Sequence, residues 1–351
     1  MEINKDKLLI FISVGAMFSL VLFLIIVYYF ARLNNVSLLF NGAQESEIKK
    51  NEFIYFSHLT GEGVLSQEEE NPKVVAVMIN NNPEGHPLSG INDAGVVYEI
   101  PVEGSFTRFM AIYPENSAVE EVGPVRSARP YYLDWLAEYG DAMYMHCGGS
   151  QESLTLIKKR KIFDADEFSR TKYFWRDNSR LAPHNLYTNA EKWRQYFLDY
   201  GGNREFAEWI GWKFGDLSAS GTESVNLLSV GYSKNFNVSW SFDAEKNNYI
   251  RQVNENIFLD KKSQPIITSN IIVQFTAIKI IDELGRREIE TIGQGEARVF
   301  RNGLMVRGKW KKETLDSRTL FFDLEGNEIE LEIGQTWLMV VPLKTNIIVS
   351  N

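Results

Sequence analysis

The hydrophobic pattern is densest at the start of the chain. Residues 8–31 (LLIFISVGAMFSLVLFLIIVYYFA) carry no charge, and only Ser13, Gly15, Ser19, Tyr28 and Tyr29 relieve the aliphatic and phenylalanine run. As a helix it would be roughly 36 Å long at about 1.5 Å per residue, enough for a hydrocarbon core of roughly 30 Å. Tyr28 and Tyr29 fall where aromatic rings prefer the headgroup level, and Arg32 closes the span. A cleaved signal has an apolar region of about 7–15 residues and a small-residue cleavage site, and YYFARL offers none. The pattern therefore predicts a transmembrane helix over residues 8–31. Lys5, Lys7 and the terminal amine orient residues 1–7 to the cytoplasm and the body outside it, in a single-pass arrangement.

Residues 32–72 turn polar without a sustained period, which predicts a tether. Residues 73–215 then alternate strand and helix patterns. KVVAVMINN, AGVVYEIPV, RFMAIYP and DAMYMHCGGS read as strands, whereas SARPYYLDWLAEYG, QESLTLIKKRKI and NAEKWRQYFLDYGG read as helices. Asn189 is a candidate N-cap, and Gly140 a candidate helix end. From residue 216 to 351 the helical period disappears. Short strand patterns separated by turn residues predict an antiparallel β-rich domain, with Asn-Gly in FRNGLM as a hairpin signal. The expected fold class is mixed α+β: a transmembrane helix, an α/β sandwich domain and a β-rich domain.

The net charge of −9, with no basic run, argues against nucleic acid as a partner. Cys147 is the lone cysteine, so an intrachain disulfide is impossible and no cysteine stands beside the span for lipidation.

Polar residues gather where the α/β pattern places strand ends and loops. Glu99, Glu103, Arg108, Arg126 and Arg129 form one group, and planar guanidinium forks suit phosphate or carboxylate. Equally, Arg108, Arg126 and Arg129 can pair with Glu99, Glu103 and Asp134. His146 and Cys147 lead through two glycines to Ser150, where backbone amides can cradle an anion or simply permit a tight turn. The loop FWRDNSRLAPHNLY brings Arg176, Asp177, Arg180, His184 and Asn185. No HExxH or cysteine-histidine spacing supports a metal, and Ser150 with His184 and Asp177 lacks the GxSxG elbow of a hydrolase. Trp240, Trp310 and Trp337 can stack on sugars, but a core role is the expectation.

MINNNPEGHPLSGINDAGVVYEIPVEGSFTRFMAIYPE, VGPVRSARPYYLDWLAEYGDAMYMHCGGS, FWRDNSRLAPHNLY, GQGEARVFRNGLMVRGKWKK and GQTWLMVVPL together resemble the YerB-type family of bacterial envelope proteins. The resemblance implies an extracytoplasmic two-domain protein without an established activity, usually held as a lipoprotein. Here the retained helix would replace the lipidated cysteine. A fainter likeness of plan joins the chain to the LytR-CpsA-Psr phosphotransferases. It implies that Arg126 and Arg129 would hold a diphosphate and Glu99 or Glu103 a magnesium ion.

The expected function is a membrane-anchored envelope protein that binds an anionic ligand or a protein partner through Glu99, Glu103, Arg108, Arg126, Arg129, His146, Ser150, Arg176, Asp177, His184 and Asn185. A cell-wall or polyprenyl-linked molecule is the expected ligand. No cofactor is expected, with magnesium only in the alternative of a phosphotransferase or hydrolase on lipid-linked or cell-wall glycopolymers.

Overall fold

The computed structural model describes Ile25 and residues 54–351, apart from residues 203, 216–222 and 234–235. Apart from Ile25, the predicted span over residues 8–31 and the start of the tether lie outside the described residues. Among the described residues no helix is long and apolar enough to cross a membrane. Residues 54–351 form one compact unit that contains both hydrophobic cores, and so can fold without the apolar segment.

The run KVVAVMINN becomes strand β1 (Val74–Asn80), every residue of which is buried. Val75, Val77 and Ile79 enter one core, while Val74, Ala76 and Met78 enter the other. A strand covered on both faces has no polar side, which is why the run shows no alternation. Further strands include β2 (Val96–Pro101), β3 (Thr107–Pro114), β4 (Met143–His146), β5 (Asp164–Asp166), β6 (Asn248–Val253), β7 (Asn270–Thr276), β8 (Gly293–Arg301), β9 (Leu304–Lys312) and β10 (Thr336–Pro342). Among the described residues from 54 onward the α-helices are α1 (Tyr132–Leu136), α2 (Gln151–Arg160) and α3 (Ala190–Tyr196), so this unit is mostly β. Asn189 caps α3 by accepting from the Lys192 amide.

One 11-stranded sheet runs in the order Glu223–Ser224, β9, β8, β7, β10, β2, β3, β1, β4, β5, with Leu320–Asp323 added beside β9. It crosses the boundary expected near residue 215, because β10 lies parallel to β2 from Thr336 opposite Val96 to Met339 opposite Glu99. Nor is the second half purely antiparallel, since β7 and β10 also pair in parallel. An apolar run specifies burial but not the direction of its neighbour. The Asn-Gly signal is realised: Asn302 and Gly303, at φ 50° and 67°, join antiparallel β8 and β9.

A 6-stranded sheet built around β6 and Phe236–Asp243 covers one face of the large sheet, where Val238 and Trp240 share a core with Val97, Phe109 and Trp337. Helix α1 covers the other face. Trp240, Trp310 and Trp337 are all core residues.

The tether ends earlier than residue 72. Tyr55–Phe56 pairs with Gly63–Val64, Leu59 is buried, and the Asn71 amide bonds the backbone of Trp209 on both sides. These contacts rest on single residues rather than on a periodic apolar face, so composition concealed them.

Candidate functional site

Strands β1, β2, β4 and β5 point the same way, each either parallel to its neighbour or separated by one antiparallel strand. Their carboxyl ends bring Asn80, Glu99, His146 and Asp166 to one edge, the usual position of ligand sites in open parallel sheets.

Glu99 is fully buried. Its two oxygens accept from Arg251 at 2.8 Å each, from Trp337 Nε1 at 2.9 Å and from Thr107 Oγ1 at 2.8 Å. Arg251 comes from β6 in the covering sheet, boxed by the rings of Phe109, Trp240, Phe258 and Trp337. Thr107 in turn accepts from Asn81 Nδ2 at 2.7 Å, and Asn81 Oδ1 meets His86 Nε2 at 3.1 Å. Burial, with Arg251 and Arg180 nearby, pushes the His86 imidazole down to about 4.

The two arginines of VGPVRSARP part company. Arg129 forms a two-pronged ion pair with Glu103, at 2.6 and 2.7 Å. That pair holds the Glu103 carboxyl below its ordinary range despite partial burial, which opposes the shift. Arg126 instead points to His184, with Nη2 at 3.0 Å from Nδ1. Helical spacing would have placed both guanidinium groups on one face, but α1 begins only at Tyr132 and the segment before it is not helical.

His184 has a consistent neutral state. Its Nε2 lies 3.0 Å from Glu84 Oε2, while Nδ1 also lies 3.0 Å from Asn80 Nδ2. With the proton assigned to Nε2, the ring donates to Glu84 and Nδ1 accepts from Asn80, while Arg126 Nη2, 3.2 Å from Nε2 as well, lies against the ring between both nitrogens. Burial and the adjacent Arg126 hold its pKa below the ordinary value, and Glu84 opposes them. Arg108 sits beside Arg126 and donates to the Ser127 carbonyl at 2.9 Å. Each guanidinium is depressed first by burial and then by a neighbouring arginine, Arg129 for Arg108 and Arg108 for Arg126. Among the described residues neither Arg108 nor Arg126 has a carboxylate at ion-pair distance.

The glycine turn is closed on itself. Gly148 donates to Asp166, the Ser150 amide to the Ala128 carbonyl, and Ser150 Oγ caps α2 by accepting from Ser153. Gly148 adopts φ +58°, and a side chain there would strike Phe168, so the glycine serves the turn. His146 is fully buried, with its ring nitrogens at 2.8 Å from the Gly148 carbonyl and 3.2 Å from Asp164. Cys147 lies against Glu167, and burial plus that carboxylate push its thiol up to about 11, far from an activated nucleophile.

The loop FWRDNSRLAPHNLY is pinned to the body. Arg176 joins Asn185 to Glu167 at 3.0 and 3.1 Å, and Asp177 receives Ser179 and Lys261. Arg180 donates to the carbonyls of His86 and Pro87. The structure thus brings Arg108, Arg126 and His184 into one cluster, whereas Glu99, Glu103, Arg129, His146, Ser150, Arg176, Asp177 and Asn185 each engage partners of their own. Asn80, Glu84 and Arg251 were not singled out from the sequence. The Asn80, Asn81 and Asn82 run at a strand end was the one visible signal for the first of them. Among the described residues no cluster of histidine, cysteine or carboxylate groups is arranged to hold a metal ion.

The family model described as "Protein of unknown function (DUF3048) N-terminal domain" matches residues 59–202, and its C-terminal counterpart matches residues 228–338. "Putative lipoprotein YerB" of Bacillus subtilis (strain 168) is 29% identical over 294 residues, covering 79% of this chain and 83% of the relative. The crystal structure of YerB from Bacillus subtilis matches with a TM-score of 0.73 at 28% identity, over 84% of this chain and 99% of that one. Matches on both sides of residue 215 and a shared fold agree: the chain belongs to the DUF3048 family and is a homologue of YerB.

Proposed function

We propose that this envelope-associated protein is held at the membrane by residues 8–31 and uses the Arg108, Arg126 and His184 cluster to bind an anionic group of an envelope ligand outside the cytoplasm. One observation carries the binding: among the described residues two adjacent, half-buried guanidinium groups have no carboxylate at ion-pair distance, and burial with Arg126 lowers the pKa of the His184 ring beside them. Like charges brought together out of water are costly, and an anion relieves that cost. Arginine forks match phosphate and carboxylate geometry, the groups that lipid-linked and cell-wall polymers present. Attachment rests on the uncharged run and on kinship with a protein described as a lipoprotein. The phosphotransferase alternative finds less support, because Glu99 and Glu103 spend their oxygens on Arg251, Trp337, Thr107 and Arg129.

A thermal-shift series on residues 54–351 with inorganic phosphate, short-chain prenyl phosphates and muropeptides tests the binding. A ligand specific to the native state stabilises it by about 2.7 kcal/mol at 100-fold excess over Kd. The account expects a shift in the wild type that is absent from Arg126→Ala. Equal shifts in both proteins, or none with any anion, would refute it. Alkaline extraction of membranes tests the anchor: the full chain should stay in the pellet, and release into the supernatant would contradict the span.

A further inference from the structure

A cleft of about 910 Å³ lies away from the arginine cluster. Its walls are mainly apolar and come from the end of α1, the turn after α2, the segment around Trp209 and the loop after β9. A volume of this size suits a small ligand rather than a protein segment.

Arg318 forms part of the inner wall and is buried, with only 1% of its side chain exposed. Its guanidinium stacks on the Trp212 ring at 3.8 Å and on Tyr139 at 4.6 Å. Glu138 accepts from Lys312 at 2.8 Å and from Thr319 at 2.6 Å, and meets Arg318 only at 3.5 Å. Two buried cations therefore share one carboxylate, and among the described residues Arg318 Nε and Nη2 have no hydrogen-bond partner. Acidic groups at the rim do not cancel this excess: Asp141 pairs with Arg204, Glu313 pairs with Lys311, and Glu208 and Asp316 are exposed to water. A desolvated charge counts for more than a screened one.

We infer that this cleft binds a single-chain amphiphile with an anionic head, the head directed to Arg318 and the chain lying along Leu136, Ile162, Phe163 and Ile210. The site is separate from the arginine cluster, so either can fail without the other.

Calorimetric titration of residues 54–351 tests it below the micellar range, with dodecanoate and dodecyl phosphate as separate arms to tell a fatty acid from a lipid phosphate. Dodecanol, dodecyltrimethylammonium and inorganic phosphate supply the tail, the opposite charge and the head alone. One anionic amphiphile should bind saturably at one site, at least tenfold more tightly than the alcohol, the cation or phosphate. Ile210→Glu, at an exposed rim position that leaves the core intact, should weaken it at least tenfold, while Arg126→Ala should leave it unchanged. Equal affinity for the cationic and anionic homologues would overturn the inference, as would undiminished binding by Ile210→Glu or no saturable binding of either anion.

Discussion

Glu99 and Arg251 stand 152 residues apart in sequence, yet they form a fully buried two-pronged ion pair at 2.8 Å on each arm. Glu99 sits on the large sheet and Arg251 on the sheet that covers it, so the pair fixes how the two halves of the family fold meet. Burying both charges is costly, and the Thr107 and Trp337 donors offset part of that cost. Replacing one member leaves the other charged and alone.

Glu99→Leu or Arg251→Met should each lower unfolding stability by about 3–5 kcal/mol. The double variant Glu99→Leu with Arg251→Met should recover much of the loss, because no charge then remains buried. Urea unfolding of the four proteins measures the coupling, and additive losses would show that the pair does not act as a unit.

Arg129 and Arg126 should separate by phenotype although they lie in one motif. Arg129→Ala breaks charge-assisted bonds in a partly buried pair with Glu103 and should cost about 1.5–3 kcal/mol. Arg126→Ala removes a guanidinium bonded to a neutral ring and should leave the melting temperature nearly unchanged. Reversed results would make Arg126 the structural residue.

His86 predicts the shape of the acid limb of stability. Its folded pKa of about 4 lies below the ordinary 6.5, so the unfolded chain takes up the proton first as pH falls. The corresponding stability is complete above about pH 6.5 and is lost as pH falls toward 4, about 3 kcal/mol in all. His86→Gln should flatten that part of the profile. Identical slopes for the two proteins between pH 6.5 and 4 would exclude the assignment.

Cys147 should be inert. With its thiol pushed up to about 11, little thiolate exists near neutrality, so iodoacetamide should label the native protein far more slowly than the unfolded chain. Cys147→Ser should retain ligand binding, and loss of binding would return the thiol to the site.

Much of this architecture was readable from local signals. The continuous apolar run of β1, the Asn189 cap and the Asn302 and Gly303 turn are all specified by neighbouring residues. The partner of each strand was not, because the parallel pairing of β10 with β2 joins residues far apart in the chain. The grouping of the arginines depends on the same kind of distant pairing. Arg108, Arg126 and His184 stand among eleven candidates that strand ends and loops offer, but only the fold showed that Glu103 takes Arg129 and leaves Arg126 to a histidine. Arg251 lay unmarked in an ordinary strand pattern, since nothing local announces a buried charge whose counterion is distant.

Phosphate-headed ligand titrated into wild type and Arg126→Ala, followed by the ring resonances of His184, addresses the anion site most directly. An anion beside Arg126 should raise the depressed His184 pKa toward its ordinary value in the wild type and have no such effect in the variant. A His184 titration indifferent to saturating anion, or one that shifts alike in both proteins, would contradict the site.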